Sequence, residues 1–505
     1  MLTRINTAVF AGVEGHPVVV ETDLLKGIPR FNIVGLPSAT VLESRERIRS
    51  AINNSGFEFP RGKITVNLTP AGLRKNGSHL DLPIAIGLLC TNMYVDAAKT
   101  ESYGIIGELA LDGKVLGVNG VLPMVLGMAR NGVNRIIVPD ANYKEASLAQ
   151  NIQIIPCRSL TECAALINEK RTPRELECES AEGDSYEEID FSQIKGQEMA
   201  KRAIAVAVTG GHGLIMVGSP GCGKTMLARR IPTIMPPMSR DEILETSIIY
   251  SVAGKLNITE SMISKRPFRS PHSSIGVAGL IGGGNNPHPG ELSLAHNGIL
   301  FLDEVCEFSS RALESLRLPL EDKEISHFRQ GTVYRYPCNF GVVMAANPCK
   351  CGYAGSEKKP CKCSERELEQ YRRKLSGPIM DRIDIRLEMS EVEYDEMAGS
   401  SNEGLSSAEM YEMVQRGRAF ARSEGRNNLN AMLNDGEVEE LCRLGQEELI
   451  LMRGAYENLG MSPRAYTKVL KVARTIADID ESSEITAAHL AEAISYRIYS
   501  GPQGE

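Results

Sequence analysis

The sequence predicts an α/β protein built from several domains. Short apolar runs alternate with amphipathic helical stretches over residues 1–168, which is the pattern of sheets flanked by helices. Within residues 189–390, Gly-rich loops accompany buried runs such as GLIMVG, GILFLDE and FGVVMAANP, and this combination is typical of a parallel nucleotide-binding sheet. The rest of the chain is strongly helical. With 505 residues, it is also too long for one ordinary core.

Composition narrows the class of function. No stretch approaches eighteen apolar residues, so no membrane span is expected. The twelve cysteines include one dense cluster and lack the spacing of a secreted disulfide framework, which predicts the reducing cytoplasm. The net charge of −8 gives no general attraction to a polyanion. Any contact with DNA must therefore come from local basic patches.

Residues 1–168 are predicted to form an α/β domain with a mixed sheet. Ser38 and Gly56 bracket an amphipathic helix, and residues 82–94 are apolar enough for a buried helix. Asp112 and Gly113 are typical of a hairpin turn. The predicted strands are VFAG, HPVVVETDL, RFNIVGL, KITVNLTP and RIIVP, and the domain ends with a helix near 121–131 and a short αβ unit up to residue 168.

Three further regions follow. Residues 169–188 are acidic and poor in large apolar residues, which predicts a linker. Residues 189–390 form the nucleotide domain. Residues 391–505 are predicted to form a lid of four helices, namely SSAEMYEMVQRGRAFARSEG, EVEELCRLGQEELILMRGAYENLG, SPRAYTKVLKVARTIADID and TAAHLAEAISYRIYS.

The strongest motif is GSPGCGKT, which follows an apolar strand and leads into a helix. This is the context of a P-loop, whose backbone N–H groups surround the phosphates of ATP. Lys224 is expected to reach the β- and γ-phosphates, and Thr225 to bind Mg²⁺. The whole predicted phosphate loop is Gly218, Ser219, Pro220, Gly221, Cys222, Gly223, Lys224 and Thr225.

A second acidic motif predicts hydrolysis in addition to binding. Asp303 and Glu304 end the apolar run GILFL. Asp303 is expected to hold Mg²⁺, and Glu304 to polarise the attacking water. A strand that ends in two acids by chance fits poorly with the apolar residues leading straight into them.

The surrounding segments resemble ATPases of the AAA+ class. AANP resembles sensor 1, with Asn347 near the γ-phosphate, and SGPIMDRID resembles an arginine-finger segment, with Arg382 as the finger. SPRAYTKVLKVARTIAD resembles the sensor 2 helix, with Arg464 reaching nucleotide. IKGQEMAKRAI, residues 194–204, resembles the adenine-side segment. A finger that acts on a neighbouring subunit implies a ring, and the class implies a hexamer.

Two insertions resemble those of the Mg-chelatase and MCM branch of this class. One is FRSPHSSIGVAGLIGGGNNPHPGELSLAHNG, which resembles a helix-2 insert. The other is EISHFRQGTVYRYP, which alternates like two strands around Gln330 and Gly331 and resembles the hairpin before sensor 1. Arg329 and Arg335 are the candidate DNA contacts. The alternative is a packed hairpin whose arginines pair with acidic neighbours.

Four cysteines occur in CKCGYAGSEKKPCKC, directly after the sensor 1 motif. Paired CxC motifs nine residues apart can bring four thiolates to one tetrahedral Zn²⁺. A redox switch is the alternative. The expected ligands are Cys349, Cys351, Cys361 and Cys363.

The front domain resembles the Lon-protease fold, which is also that of ribosomal S5 domain 2, through RKNGSHLDLPIA and GELALDGKVLGVNGVLPM. The alignment puts His79 at the position of the catalytic serine, with Ser78 beside it, and Leu122 at the position of the catalytic lysine. Because leucine cannot transfer a proton, dyad peptidase chemistry is not expected.

Motifs along the whole chain resemble the ComM/YifB family of Mg-chelatase-like AAA+ ATPases. They include NIVGLP, ESRERIRSAI, RPFRSPH and RRKLSGPIMDRID. The resemblance implies a hexameric ATPase that acts as a helicase and branch-migration motor on branched or single-stranded DNA in natural transformation. The alternatives are a chelatase-type metal-insertion ATPase and a protein-remodelling machine.

Overall fold

The computed structural model describes residues 2–174, 176, 189–256, 262–356, 359–375, 379–391 and 404–497. The mixed α/β architecture predicted from the sequence is confirmed. The elements before residue 169 are β1 (Leu2–Ala11), β2 (Glu14–Leu25), β3 (Arg30–Val34), α1 (Ala39–Asn54), β4 (Lys63–Thr69), α2 (Asp81–Thr91), α3 (Ala97–Thr100), β5 (Gly104–Ile105), β6 (Glu108–Leu109), β7 (Val115–Leu116), α4 (Val121–Ala129), β8 (Arg135–Pro139), α5 (Tyr143–Ala146), β9 (Gln153–Cys157) and α6 (Leu160–Ile167).

The first sheet has seven strands in the order β3-β4-β2-β1-β5-β8-β9, with both parallel and antiparallel pairs. Ser38 caps α1 by accepting a hydrogen bond from the backbone N–H of Val41, as predicted for a helix start. Residues Asp81 to Cys90 of α2 are all buried, because α2 lies between the sheet and α1. The short pair β6 and β7 encloses the predicted turn at Asp112 and Gly113.

The second sheet carries the nucleotide motifs. Its region contains α7 (Glu198–Gly210), β10 (Leu214–Gly218), α8 (Lys224–Arg230), α9 (Arg240–Val252), β11 (Phe268–Arg269), α10 (Val277–Ile281), α11 (Glu291–Leu294), β12 (Ile299–Leu302), α12 (Ser310–Glu314), α13 (Arg317–Asp322), β13 (Glu324–Arg329), β14 (Thr332–Pro337), β15 (Gly341–Ala346), α14 (Glu365–Leu375) and β16 (Ile385–Met389).

Five of these strands form a fully parallel sheet in the order β11-β12-β15-β10-β16. Alternate residues of β10 enter different cores: Leu214 and Met216 pack with α7 and the C-terminal helices, whereas Ile215 and Val217 pack on the other face. Burial on both faces explains why this strand is a continuous apolar run in the sequence. The carboxyl ends of β10, β12 and β15 then meet at one edge of the sheet.

The C-terminal region contains one helix more than predicted. Its helices in the described residues are α15 (Ser407–Ser423), α16 (Asp435–Leu441), α17 (Gln446–Asn458), α18 (Pro463–Ile479) and α19 (Ala487–Ser495). The prediction of a single helix over 437–460 is wrong, because the chain leaves the helix at Cys442 and starts again after an extended Gly445. Cys442, where the break occurs, lies in the core and is 3% exposed.

The predicted linker is described only at its start. Residues up to 174 stay on the first domain, since Arg174 forms ion pairs with Asp140 and Glu162. Residues 175 and 177–188 lie outside the described residues, so the linker remains a prediction. The start of the predicted lid, residues 392–403, also lies outside them. No helix in the described part of the chain combines the length and apolar character that crossing a bilayer requires.

The first domain packs directly on α9 of the nucleotide domain. Leu244 and Ile248 of α9 pack against the cluster formed around α4. The buried Glu145 carboxylate accepts hydrogen bonds from the Ser251 hydroxyl at the end of α9 and from the Leu122 backbone N–H, the latter at 3.0 Å. Burial raises the pKa of Glu145. The two sheets are thus connected through a helix adjacent to the nucleotide motifs.

Candidate active site

The predicted P-loop forms the turn between β10 and α8. Gly221 and Gly223 have φ angles of +88° and +95°, a left-handed conformation that glycine adopts without steric cost. No atom lies within 4 Å of the position where a Cβ would sit on either residue. This turn therefore leaves open space in front of its backbone, as a phosphate-binding loop requires.

Lys224 connects the P-loop to the end of β15. Its ammonium donates hydrogen bonds to the carbonyl oxygens of Gly218 and Ser219 at 2.6 and 2.9 Å, and to the Asn347 side-chain oxygen at 3.2 Å. Lys224 is only 9% exposed, and none of these three acceptors carries a charge. The sequence-predicted lysine and sensor 1 asparagine thus lie side by side.

The acidic pair lies on the other side of the same loop. The Thr225 hydroxyl donates a hydrogen bond of 2.8 Å to the Asp303 carboxylate. Glu304 has a left-handed backbone, with φ of 48° and ψ of 49°, which is uncommon for a residue with a side chain and is found preferentially at functional sites. Its side chain is exposed toward the loop. Thr225 and Asp303 therefore offer adjoining oxygens, and Glu304 lies beside them.

These residues enclose a cavity of about 340 Å³ at the carboxyl edge of the parallel sheet. Its lining includes Gly221, Lys224, Thr225, Asp303 and Asn347. In the described part of the chain, the buried hydroxyl of Ser219 at the loop has no hydrogen-bonding partner. A cavity with an uncompensated ammonium, an open backbone turn and paired hard oxygen ligands fits a Mg²⁺-nucleotide.

Arg382 and Arg464 line a different cavity. It has a volume of about 560 Å³ and is bounded by Gly213, Phe340 and Asp384, which directly precede β10, β15 and β16. It therefore opens at the amino edge of the sheet. The strands between the two edges have four to six residues, and span about 13–20 Å at about 3.3 Å per residue. The P-loop cavity and this second cavity have no lining residue in common.

Sequence reasoning missed the acid that organises the second cavity. Asp384 accepts hydrogen bonds of 3.3 Å from His212 and from the Gly213 N–H, and its carboxylate lies 2.8 Å from the Lys468 ammonium. Burial acts to raise the pKa of Asp384, but the His212 hydrogen bond and the Lys468 charge hold it well below the usual range. The sequence offered one signal for this cavity, which is the spacing of its cations. Lys468, the partner of Asp384, lies one helical turn after Arg464, so the two side chains share one face of the helix.

The four predicted metal ligands lie together. Their sulfur atoms are all within 4.8 Å of one another, and Cys349 Sγ is 3.3 Å from Cys351 Sγ and 3.7 Å from Cys361 Sγ. Sulfurs bound to one tetrahedral zinc at about 2.3 Å would be about 3.8 Å apart. The cluster, completed by Cys363, thus has ligand type and spacing suited to Zn²⁺.

The cysteine loop contacts the nucleotide site. Cys349 follows Asn347 by two residues, and Gly352 approaches the P-loop so closely that a Cβ there would lie 2.6 Å from the ring of Pro220. Gly352 has a φ of +86°. The loop that carries the thiols is therefore in van der Waals contact with the backbone turn that would hold the phosphates.

The predicted hairpin is present, with its turn at Gln330 and Gly331, whose φ values are 49° and 83°. Arg329 is exposed beside the turn and, within the described residues, donates to the carbonyl oxygens of Gly284, in the Gly-rich insert, and Phe328. The Arg335 side chain is 62% exposed, and its guanidinium lies 3.9 Å from Glu324. Both arginines thus retain solvent-accessible charge.

The Lon-like segment contains Ser78, whose hydroxyl contacts an acidic side chain. The Ser78 hydroxyl donates a hydrogen bond to the carboxylate of Glu108, and so its partner here is an acidic residue and not a lysine. His79 is buried, and desolvation lowers its pKa to about 4. Leu122 is fully buried in the core of α4. That dyad peptidase chemistry is absent stays a prediction from the sequence.

The parallel sheet, the P-loop and the Asp–Glu pair define a P-loop ATPase of the AAA+ class. Comparison with known proteins specifies it further. The family model described as "Magnesium chelatase, subunit ChlI" matches residues 190–397, and related models match 20–142 ("Subunit ChlI of Mg-chelatase") and 404–497 ("Magnesium chelatase, subunit ChlI C-terminal").

Similar proteins cover nearly the whole chain. "Uncharacterized protein YifB" of Escherichia coli is 40% identical over 499 residues, which are 98% of this chain and 97% of that protein. "Competence protein ComM" of Haemophilus influenzae is 39% identical over 492 residues, 96% of this chain and 95% of that protein. A Lon protease of Trichlorobacter lovleyi is 23% identical over 178 residues, 33% of this chain and 22% of that protease. The chain belongs to the YifB/ComM family of Mg-chelatase-like AAA+ ATPases.

Proposed function

We propose that this ATPase is a ring-shaped DNA motor, a hexamer by analogy with its class, that unwinds or branch-migrates DNA in the cytoplasm during recombination. The name "competence protein" of one relative supports a role in the DNA processing of natural transformation. The observation that carries the proposal is the location of Arg382 and Arg464 at the sheet edge opposite the P-loop of their own chain.

The chemistry at the P-loop follows from the contacts of its residues. The Lys224 ammonium donates hydrogen bonds to neutral oxygens in this structure. When nucleotide binds, it would donate to phosphate oxygens instead, and these charge-assisted hydrogen bonds are stronger. Bound Mg²⁺ would supply charge neutralisation on the phosphates, and Thr225 and Asp303 are the residues to hold it. Glu304 and Asn347 would orient water at the γ-phosphate. These roles require no residue from the opposite edge.

Arg382 and Arg464 are proposed to act on the nucleotide bound to a neighbouring chain of an assembly. About 13–20 Å of sheet separates their cavity from the P-loop, so we expect neither to contact the phosphates bound to the P-loop of its own chain. Arg382 is 12% exposed and pairs with the half-exposed Glu321, a carboxylate that an arriving phosphate can replace. If the amino edge of one sheet meets the P-loop edge of the next chain, the arginines of the first chain would add positive charge beside the phosphates bound to the second. Repetition of this head-to-tail contact closes a ring.

Hydrolysis should therefore depend on assembly. Arg382→Ala is expected to lower kcat by about 10³-fold or more, the range of known arginine fingers, while leaving nucleotide affinity at the P-loop nearly unchanged. Wild-type specific activity should fall on dilution as the ring dissociates, in parallel with its mass measured by analytical ultracentrifugation. A monomer that hydrolyses ATP at the full rate without Arg382 would refute the ring mechanism.

The DNA contact is assigned to the hairpin, with Arg329 beside its turn and Arg335 nearer its base. Arg329 and Arg335 keep exposed charge, and an exposed positive group that contacts phosphates contributes affinity that falls with salt. The proposal is tested by strand displacement from labelled forked DNA, with Glu304→Gln as the control that binds ATP without hydrolysis. Arg329→Gln should weaken DNA binding and its salt dependence, whereas Arg4→Gln, which removes an exposed arginine of the first sheet, should not. Absence of DNA stimulation at low salt would refute the motor proposal.

We assign structural Zn²⁺ to the four cysteines. The separations of their sulfurs and the burial of Cys349 support this assignment. Protein purified without chelators is expected to contain one zinc per chain by elemental analysis. A redox-active disulfide in place of zinc would give no metal and a pair of thiols lost to alkylation.

A metal-insertion or protein-remodelling ATPase is the alternative, because the matching family models carry the name of Mg-chelatase. That alternative predicts hydrolysis that forked DNA does not change. The strand-displacement assay therefore distinguishes the two functions.

A further inference from the structure

Lys323 lies at the root of the candidate DNA hairpin. It directly follows α13 and precedes the first hairpin residue, Glu324. Its backbone is left-handed, with φ of 55°, and its carbonyl oxygen accepts a 2.8 Å hydrogen bond from the N–H of Cys338, the residue after β14. Lys323 and Cys338 thus close the base of the hairpin.

The side chain of Lys323 belongs to the cavity of the two arginines. That cavity is lined by five cations, namely Lys323, Arg382, Arg464, Lys468 and Lys471, and by four carboxylates. Arg382 pairs with Glu321, and Lys468 with Asp384. Among the described residues, the other three cations have no carboxylate within ion-pairing distance, and the Lys471 ammonium donates only to a backbone carbonyl.

An unpaired cation in a partly enclosed cavity indicates a missing anion. Burial lowers the pKa of Lys323, and the attraction of the Asp384 carboxylate, which is already paired with Lys468, offsets this only in part. The cavity is large enough for a polyphosphate, and its other unpaired cations converge on the same space. Phosphate oxygens from outside the chain would satisfy all three.

We propose that Lys323 is a phosphate ligand for the nucleotide bound to the neighbouring subunit, and that it transmits the state of that nucleotide to the hairpin. The inference rests on the ring assembly proposed above. A contact at the ammonium holds the hairpin at its root, so loss of the γ-phosphate next door would release it. The residue therefore couples hydrolysis in one subunit to DNA contact by the next.

Complementation between two variants with reduced hydrolysis tests the direction of action. Lys224→Ala lacks a working P-loop but keeps an intact Lys323, and Lys323→Gln has the reverse defect. Lys323→Gln alone should hydrolyse ATP at least about tenfold more slowly than wild type, and mixing it with Lys224→Ala should raise hydrolysis well above the sum of the separate rates. Glutamine removes the charge and keeps a polar side chain one bond shorter than that of lysine, and Lys323→Arg, which keeps the charge, should restore most activity.

Arg382→Ala mixed with Lys224→Ala serves as the internal control for the ring. Complementation by Arg382→Ala but not by Lys323→Gln overturns the role of Lys323 and leaves the ring intact, whereas failure of both overturns the ring. Hydrolysis by Lys323→Gln within twofold of wild type also overturns the role. Lys114→Gln, an exposed lysine of the first domain, should match wild type in every assay, and matching unfolding temperatures exclude a folding defect.

A second readout tests the link to the hairpin. A non-hydrolysable ATP analogue should raise the affinity of the wild-type ring for fluorescent single-stranded DNA. Lys323→Gln should lose that increase while keeping the wild-type affinity in the absence of nucleotide. An increase that persists in Lys323→Gln, or that is absent from wild type, overturns the coupling.

Discussion

The contact between Gly352 and Pro220 predicts that the cysteine loop controls nucleotide affinity. In Gly352→Ala the new Cβ would lie 2.6 Å from the Cγ and Cδ atoms of Pro220, well inside the ordinary carbon contact of about 3.5–4.0 Å. The same chain offers a matched control. Gly355 has a φ of +80°, close to the +86° of Gly352, but nothing lies within 4 Å of its Cβ position.

Both substitutions therefore add backbone strain, but only one of them adds a steric overlap. Each forces alanine into the left-handed region, at about 1–2 kcal/mol. Only Gly352→Ala adds a steric overlap, which costs about 1–3 kcal/mol in packed regions. If Pro220 relieves the overlap by moving in the free protein but must return when phosphate binds, the extra cost appears in binding. This corresponds to about 5- to 150-fold weaker ATP affinity than in Gly355→Ala.

Fluorescent ATP-analogue titration of the two variants measures this difference, and elemental zinc analysis shows whether the cysteine site survives in both. Gly355→Ala should bind nucleotide within a few-fold of wild type. Equal affinities in the two variants, with zinc retained, would show that the contact does not transmit displacement to the P-loop, and the reasoning would fail.

Three further changes have defined outcomes. Thr225→Val removes the hydroxyl that donates to Asp303, so activity should fall about 10- to 100-fold with a higher Mg²⁺ requirement; an unchanged Mg²⁺ titration would contradict this. Cys349→Ser should lower bound zinc and the unfolding temperature, whereas Cys442→Ser, outside the cluster, should leave zinc content unchanged. His79 is buried with its pKa lowered from 6.5 to about 4, so the unfolded chain binds a proton first as pH falls through this window. The contribution of neutral His79 to the free energy of unfolding should be fully present above pH 6.5 and should decrease by about 3 kcal/mol toward pH 4. In urea unfolding, His79→Phe should lose this part of the pH dependence, and an unchanged slope of stability against pH would contradict the assignment.

Local features of the sequence were enough to predict the P-loop, the hairpin turn and the start of α1. Each depends on neighbouring residues: glycines that permit left-handed backbone, Gln330 and Gly331 in a two-residue turn, and Ser38 as a cap. The break at Cys442 was not predictable in this way. Cys442 leaves the helical conformation and an extended Gly445 starts the next helix, although the residues on both sides have helical propensity.

The sequence by itself determined which residues could bind nucleotide and which thiols could share a metal, because both sets are held together by short stretches of chain. Only the tertiary structure decided that Arg382 and Arg464 lie away from the P-loop, and that Lys323 joins them. The order of strands in a parallel sheet fixes which chain ends meet at each edge. That order depends on packing between segments far apart in sequence, which no local pattern records.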